Sequence, residues 1–489
     1  MREARQLCTA AGVPTYSTPE EAVGAFIHAV RYNRNQRQLM EVPSSIPESF
    51  APRPDQVRAI VAAALAEGRS ILTELEAKQV LAAYFIPVVP TRAVADVNEA
   101  RLEAAAIGYP VALKILSPDI THKSDAGGVA LDIADADALT RAANIMLERC
   151  RELLPQARIT GFTVQQMVRR PNAQELIAGI AVDATFGPVI LFGKGGVQVE
   201  VAPDKAIGFP PLNTVLAAEL ISRTRVRRLL AGFRNFPAVD MRALERALVQ
   251  LSQLAVDIAE IVELDINPLL ADDSGVIALD ARIRVVRATG TPADRLAIRP
   301  YPKELEEQVT FDGRTVLLRP LRPEDAPAHQ EFISHISEED MHARFFRAVK
   351  HLPPGDLAYL TQLDYERAMA FIATASGSDG QPETLGVVRA QADPDNENAE
   401  FAVLVRSDLK GHGLGSALMQ KIIQYCRQRG TRRIAGDVLA SNTRMLQLAA
   451  AHGFRRRWHG RAWCGSHSTC SPQPPNLKIC SAGSQWRTP

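Results

Sequence analysis

Residues 400–418 read E-F-A-V-L-V-R-S-D-L-K-G-H-G-L-G-S-A-L: an apolar strand, a glycine-spaced turn, then the start of an amphipathic helix. Few folds accommodate that order. Gly411, Gly413 and Gly415 let the backbone approach closely, and the helix begins with free N–H groups aimed at an anion. Lys410 stands at the mouth of the turn. The arrangement suits the pyrophosphate of a nucleotide-like cofactor. Its spacing is not the dinucleotide G-x-G-x-x-G, and no acidic residue ends a following strand as a ribose ligand would. A glycine-rich helix cap without a cofactor is the plainer alternative.

The chain has 489 residues, 46% of them hydrophobic, and a formal charge of +1. Its length suggests roughly two to four domains. Near-neutral charge argues against a general nucleic-acid or membrane-surface protein. No apolar run approaches a membrane span, and M-R-E-A-R-Q-L lacks a signal-peptide core, so a soluble cytoplasmic enzyme is expected. Cys8, Cys150 and Cys426 are isolated. Cys464, Cys470 and Cys480 crowd together without C-x-x-C spacing, which argues against zinc there. Residues 457–489 show neither helical nor strand periodicity and are predicted to be disordered, as a stretch translated out of its original frame would be.

Residues 1–50 read as a short strand and helix, the trailing edge of a domain whose body is missing. In 55–286, helices near 56–67, 74–83, 137–152 and 240–256 alternate with strand-like runs such as V-A-L-K-I and V-I-L-F-G. Residues 287–308 are proline-bearing, polar and unpatterned, a linker. From 309 to 456 a fresh strand–helix–strand series begins.

Within 55–286, G-Y-P-V-A-L-K-I-L places Lys114 inside a strand, where a buried lysine needs an anionic partner; ATP phosphate would serve, and a solvated face is the alternative. The polar loop S-P-D-I-T-H-K-S-D-A-G-G-V carries His122. In F-G-K-G-G-V-Q-V-E, Gly195 and Gly196 mark a tight hairpin or a phosphate-covering flap. E-L-D-I-N-P-L-L-A-D-D-S-G-V-I-A-L-D is a hairpin with Asp265 and Asn267 on one face and Asp280 on the partner strand. Three hard oxygen ligands on one face suit Mg²⁺ beside nucleotide phosphates; exposed turn acids are the alternative.

Taken together, E-A-K-Q-V-L-A-A-Y-F-I-P, the P-V-A-L-K-I-L-S-P-D-I-T-H-K-S-D-A-G-G-V run, F-G-P-V-I-L-F-G-K-G-G and L-D-I-N-P-L resemble the ATP-grasp domain of NDP-forming acyl-CoA synthetases. The resemblance implies a two-lobed ATP clamp over 55–286, with Lys114, Gly195 and Gly196 at the nucleotide and Mg²⁺ on Asp265, Asn267 and Asp280. It also implies that His122 shuttles a phosphoryl group. R-Y-N-R-N-Q in 1–50 resembles the end of that family's CoA-ligase region. The family's CoA-binding domain and primary phosphohistidine have no counterpart here. Phe85 and Lys194 are further local departures from its pattern.

From 309, V-T-F-D-G-R-T-V-L-L-R-P reads as a strand leading into a helix. A-M-A-F-I-A-T-A, E-T-L-G-V-V-R-A, the strand–turn–helix, I-A-G-D-V-L and T-R-M-L-Q-L-A-A-A-H-G-F follow. This βααβββαβα order, with K-G-H-G-L-G matching [QRK]-x-x-G-x-[GA], resembles the GNAT acetyltransferases. The resemblance implies two splayed strands that admit pantetheine and a pyrophosphate on Lys410, Gly411, Gly413 and Gly415. Backbone N–H groups near Val403 and Val405 would steady the thioester oxygen. Acetyl transfer to an amine needs a base, and Glu400 is the candidate; an exposed acid at a strand start would look the same. Asn442 resembles the asparagine that touches pantetheine, or is an ordinary helix cap. His412 reads as packing or exposed. A tyrosine acid is missing, since Ala451 and His452 hold its place, and the closing strands of the GNAT core are not evident after Phe454.

An α/β (α+β) chain is therefore expected, a two-lobed ATP-grasp domain followed by a GNAT acyltransferase domain. The order resembles that of bacterial protein lysine acetyltransferases of the Pat type. That implies acetyl-CoA, ATP and Mg²⁺ as ligands and protein lysines, such as those of acyl-CoA synthetases, as acceptors. The alternative is the β-type half of an ADP-forming acyl-CoA ligase that needs a separate CoA-binding α-type chain.

Overall fold

The computed structural model describes residues 2–47, 50–120, 126–196, 204–232, 237–288, 290–346, 352–377, 382–458 and 476–480. They divide into two units: Pro47–Ile298, and a second made of Met1–Ile46 with Arg299–Pro489.

Two helices open the chain, α1 (Arg2–Ala10) and α2 (Pro19–Leu39). The Thr18 hydroxyl caps α2 by accepting from the Glu21 N–H at 3.2 Å. No residue of α2 is buried. The strand expected ahead of it does not form, because a lone extended segment has no edge to pair with.

The unit Pro47–Ile298 begins with α3 (Pro54–Ala66) and α4 (Glu74–Ala83), followed by β1 (Thr91–Val94), α5 (Val97–Ile107), β2 (Val111–Leu116) and β3 (Val129–Ile133). Then come α6 (Ala136–Leu153), β4 (Gly161–Gln166), β5 (Gln174–Asp183), β6 (Gly187–Lys194) and β7 (Lys205–Gly208). It closes with α7 (Thr214–Ser222), α8 (Arg227–Leu230), α9 (Met241–Asp257), β8 (Ile261–Asp272), β9 (Gly275–Ala278) and β10 (Ala281–Val285). Two sheets result: a four-stranded one in the order β1-β4-β2-β3, and a six-stranded one in the order β10-β8-β5-β6-β7 with β9 paired to β8. Each has its own core. Leu113, Ile115, Phe162 and Val164 pack with Leu139 and Met146 of α6 on the first. Leu176, Ile180, Ile190 and Phe192 pack with α3, α4, α7 and α9 on the second. Helix α4 starts with a reciprocal cap: Thr73 accepts from the Glu76 N–H, and Glu76 accepts from the Thr73 N–H at 2.7 Å.

The second unit contains β11 (Glu307–Phe311), β12 (Arg314–Pro320), α10 (Ala326–Ser334), α11 (Glu338–Phe345) and α12 (Pro354–Thr361). After them come β13 (Ala368–Ser376), β14 (Pro382–Ala392), β15 (Asn398–Val405), α13 (Leu414–Gln428), β16 (Arg433–Leu439), α14 (Thr443–Ala451), β17 (Arg455–Trp458) and β18 (Asn476–Cys480). One eight-stranded sheet runs β11-β12-β13-β14-β15-β16-β18-β17. The single strand expected at its start is a hairpin. Asp312 and Gly313 both take positive φ (49° and 73°), the backbone that a two-residue Asp-Gly turn demands.

Two expectations are corrected. The tail after Phe454 is not wholly disordered, and the closing strands are present. β18 pairs antiparallel with β16 from Ala435↔Cys480 to Leu439↔Asn476, and β17 adds to its far side. Five residues are too few for a period to emerge, so the open edge of β16, not the local pattern, decides the pairing. Nor is 287–308 a free linker. The Arg295 guanidinium donates to the carbonyls of Ala255, Ile258 and Ile261 at 2.6, 2.7 and 2.9 Å. It thereby satisfies the end of α9, where a cation also suits the helix dipole. Tyr301 is 1% exposed and packs into the second unit, with Arg322 4.0 Å above its ring. Isolated anchors of this kind carry no periodicity.

Arg295→Ala leaves these three carbonyls short of a charged donor. It is expected to cost about 2–3 kcal/mol, seen as an earlier urea transition reported by the Pro47–Ile298 unit.

Candidate functional site

In the first unit the chemistry gathers where α4 meets the four-stranded sheet. Lys114 on β2 is 8% exposed, so its ammonium requires a counter-charge, and the structure supplies one inside the protein. Glu74 Oε1 accepts from Lys114 Nζ at 2.7 Å and from Lys78 Nζ at 2.9 Å. Lys78 Nζ also donates to Thr91 Oγ1 at 2.8 Å and Gln165 Oε1 at 2.9 Å. Burial lowers the pKa of Lys78; Glu74 opposes that shift, and the Lys114 charge adds to it. Asp280 also acts on Lys78 electrostatically, so the ammoniums and the β8–β10 carboxylates share one field.

Asp265 and Asn267 lie on β8, and Asp280 immediately precedes β10. The β8–β10 register sets Ala281 opposite Ile266 and Arg282 opposite Asp265, so Asp280 and Asn267 face each other across the pair. Burial lifts the Asp265 carboxyl above the usual carboxylate range; Lys205 opposes this, and Glu263 and Asp280 push further. Crowded carboxylates of this kind are relieved by a divalent cation. The donor set of two carboxylates and an amide oxygen fits Mg²⁺ that keeps water and phosphate as further ligands. Among the described residues no group of three or more His, Cys, Asp or Glu is placed to hold a metal.

The arms of the Gly195–Gly196 hairpin are β6 and β7, paired from Ile190↔Gly208 to Gly193↔Lys205. Gly195 lies flat on β5: its N–H donates to the Glu175 carbonyl at 2.8 Å, and a Cβ would fall 2.6 Å from the Leu176 carbonyl. Close backbone approach accounts for that glycine, whatever passes over it. His122 lies outside the described residues.

The GNAT-like half is organised by its only parallel strand pair among the described residues. β15 and β16 are in register only through Asn398↔Arg433, Ala399↔Ile434 and Glu400↔Ala435. Beyond Glu400 they part, and among the described residues β15 from Phe401 to Val405 keeps β14 on one side and no strand on the other. Val403 and Val405 therefore lie on an open edge. Glu400 is exposed at the point of divergence. By the two-residue alternation of a strand it shares a face with Ala402 and Leu404, while Phe401 packs with α13 on the other.

The turn after β15 holds its glycines for two different reasons. Gly411 and Gly413 have φ of +88° and +97°, and Gly413 is the N-cap of α13. A Cβ at either would meet nothing within 4 Å, so conformation, not space, demands glycine. Gly415 is ordinary helix, set against Leu448 and Val405. Lys410 is ion-paired with Asp340 of α11. Burial raises the Asp340 carboxyl, but hydrogen bonds from Lys410, Ser407 and Ser337 outweigh it and hold its pKa below the usual range. Asn442 caps α14, its Oδ1 accepting from the Met445 N–H at 3.0 Å. His412 is exposed, with an edge contact to Phe311. His452 shares a 2.9 Å hydrogen bond with Ser416 in the first turn of α13, so it sits against the start of that helix.

Comparison with known proteins agrees with both halves. An ATP-grasp domain model matches residues 63–285, and an acetyltransferase (GNAT) family model matches 336–454. The acetate–CoA ligase [ADP-forming] I subunit beta of Pyrococcus furiosus is 37% identical over 228 residues, which is 47% of this chain and 97% of that protein. The chain belongs to the family of ADP-forming acyl-CoA ligase β subunits. It also carries a GNAT domain: an acetyltransferase of Pseudomonas aeruginosa is 36% identical over 143 residues, 29% of this chain and 76% of that one. The longer acetate–CoA ligase [ADP-forming] I of Archaeoglobus fulgidus is 34% identical over 284 residues, 58% of this chain but only 40% of its own length. As a member of the ligase family with an added GNAT domain, the chain joins ATP-grasp and acetyltransferase architectures, which imply use of ATP and of acetyl-CoA or CoA. Among the described residues no helix is long and apolar enough to cross a membrane.

Sequence reasoning missed Glu74 and Lys78. The signal was the i, i+4 pair in E-L-E-A-K, which usually marks a solvated helix face but here lies 6% and 3% exposed.

Glu74→Ala strands two buried ammoniums and should destabilise this unit by about 3–5 kcal/mol, measured by chemical denaturation. Gly413→Ala forces a side chain into left-handed backbone at a cost of about 1–2 kcal/mol. It should weaken CoA binding in a calorimetric titration while the β-sheet signal persists.

Proposed function

We propose that the chain is an acetyl-CoA-dependent N-acetyltransferase for lysine amines of proteins, joined to an ATP- and Mg²⁺-binding module of acyl-CoA-ligase type. The observation that carries the reading is the divergence of β15 from β16 with Glu400 at its apex. On this reading pantetheine lies along the open edge of β15, and its pyrophosphate meets the N–H groups at Gly411, Gly413 and the start of α13 beside Lys410. Glu400, directly or through water, takes a proton from the lysine ammonium. The free amine attacks the thioester carbonyl, and N–H groups near Val403 and Val405 donate to the developing oxyanion. The carbon–sulfur bond then breaks, the nitrogen gives up its remaining extra proton, the departing thiolate takes one up through solvent, and Glu400 releases its own proton to water. Asn442 adds its amide next to the pantetheine. Acyl-CoA synthetases are the first acceptors to test, since half of this chain is of their kind.

In the ATP-grasp half, Lys114 would exchange part of its bond to Glu74 for nucleotide phosphate beneath Gly195 and Gly196. Asp265, Asn267 and Asp280 would hold Mg²⁺, which neutralises phosphate charge.

A second reading is favoured by the near-complete coverage of the Pyrococcus β subunit. Here the chain is half of a ligase, works with a separate CoA-binding chain, and carries phosphoryl on His122.

Glu400→Gln is expected to lower acetyl-CoA turnover on a lysine-bearing protein by about 10²–10⁴-fold, read as CoA release. Unchanged turnover removes Glu400 as the base. The second reading expects ATP-dependent phosphorylation that His122→Ala abolishes, and acyl-CoA formation only when a CoA-binding partner is added. Asp265→Asn should weaken ATP binding in Mg²⁺ and leave binding in EDTA little changed.

A further inference from the structure

On the face of the sheet that carries Glu400, a small recess of about 20 Å³ opens between β14, β15 and helices α10, α11 and α12. Ala402, Leu404, Val387 and Arg389 floor it, and Arg344 of α11 and His329 of α10 are among its walls. Three features mark it as a place for an anion. His329 is 2% exposed, and its Nδ1 has no hydrogen-bond partner. Arg344 makes no hydrogen bond or ion pair among the described residues; its guanidinium rests 5.0 Å from the Phe345 ring and feels Glu400 only at longer range. Arg389 spends one Nη2 donor on the Leu360 carbonyl at 2.9 Å and has no carboxylate partner among the described residues.

The two guanidiniums are close enough to disfavour each other's charge. Burial pushes Arg389 down to about 10, with Arg344 adding to the shift. Burial also lowers Arg344, against the pull of Glu400. His329 falls to about 4, first through burial and then through Arg389, with Asp325 opposing, so it is a neutral imidazole at ordinary pH. Half-buried cations of like sign with no carboxylate in contact among the described residues repel one another, and an anion in the recess relieves that repulsion.

This bears on the acceptor. A lysine ammonium that approaches Glu400 meets two guanidiniums on the same face, which repel it. An acceptor that brings a carboxylate of its own cancels that repulsion and offers the planar acceptor that guanidinium forks match. We propose that Arg344 and Arg389, beside the free Nδ1 of His329, bind a carboxylate carried by the amine acceptor and so select acceptors that hold an acid close to the reacting amine. The recess has room for one small polar group, such as a carboxylate head, and not for the rest of the acceptor. The carboxylate is therefore an aspartate or glutamate neighbouring the target lysine, or the α-carboxylate of a small amine. The inference rests on the acetyltransferase reading above and names its substrate class.

The test is calorimetric binding to the full chain in the presence of CoA. Two matched pairs separate the sources: a capped peptide with glutamate beside lysine against its glutamine isostere, and free lysine against lysinamide. At least one carboxylate-bearing member is expected to bind about tenfold tighter than its partner, and the winning pair identifies the source. Arg344→Gln should bring that preference within twofold, and Arg344→Lys should keep part of it. Arg389→Gln should do the same as Arg344→Gln, provided its melting curve remains cooperative; the Arg344 pair decides the matter if it does not. Equal binding within both pairs overturns the proposal, as does a preference that survives Arg344→Gln. CoA release is scored separately. A preference without release keeps the anion site and removes the transferase reading, whereas release without preference does the reverse.

Discussion

One carboxylate oxygen of Glu74 accepts from two lysine ammoniums, and all three side chains are almost wholly withdrawn from water. Desolvating charge is so costly that no part of this arrangement survives alone. Lys114 belongs to the four-stranded sheet, while Glu74 and Lys78 belong to a helix whose apolar face packs in the core of the six-stranded one. The ion cluster therefore couples two separately cored halves of one unit. It also gives a lysine buried in a strand a counter-charge within the protein.

The GNAT domain meets the same requirement differently. Its parallel strands stay together for three residues and then separate, which exposes backbone donors and places Glu400 at the apex. Conformation at Gly411 and Gly413, and the pairing of Lys410 with Asp340, hold the turn in place. Charge is fully answered around that turn. On the neighbouring face it is not, because Arg344 and Arg389 face one recess with no carboxylate between them. A site that leaves charge unanswered is adapted to a visitor that brings the answer.

The sequence made these sites unequally legible. Long elements with clear period or composition, such as α6, α9, β2 and β6, fall within two residues of their expected limits. The strand–turn–helix at 400–418 and the Asp265–Asn267–Asp280 hairpin could be read because their spacing is local. The tail strand Asn476–Cys480 could not, because its partner edge, not its own pattern, specifies it. The Asp312–Gly313 turn carried its signal in two residues and was passed over as continuous strand. Glu74, Lys78, Arg344 and Arg389 escaped notice for a common reason. A charged side chain says nothing in sequence about whether water reaches it, and burial arises only when distant segments pack.

The path of the chain gives one feature a wider meaning. Ser44 bridges to Tyr301, and the Ser45 N–H donates to the Tyr301 carbonyl at 2.9 Å, so the two stretches that build the second unit meet at one seam. The ATP-grasp unit is thus an excursion that leaves and rejoins its host at neighbouring points. Closing a flexible loop of its length, roughly 250 residues, would cost about 5 kcal/mol in chain entropy. A loop already folded, with its ends held together, pays little of that. During synthesis, Ser44 and Ser45 cannot meet Tyr301 until 301 has emerged, so the ATP-grasp unit is complete before the seam can close. The host's N-terminal segment waits on its guest, and in evolutionary terms the guest is the kind of block that can be exchanged or lost without unravelling the host sheet.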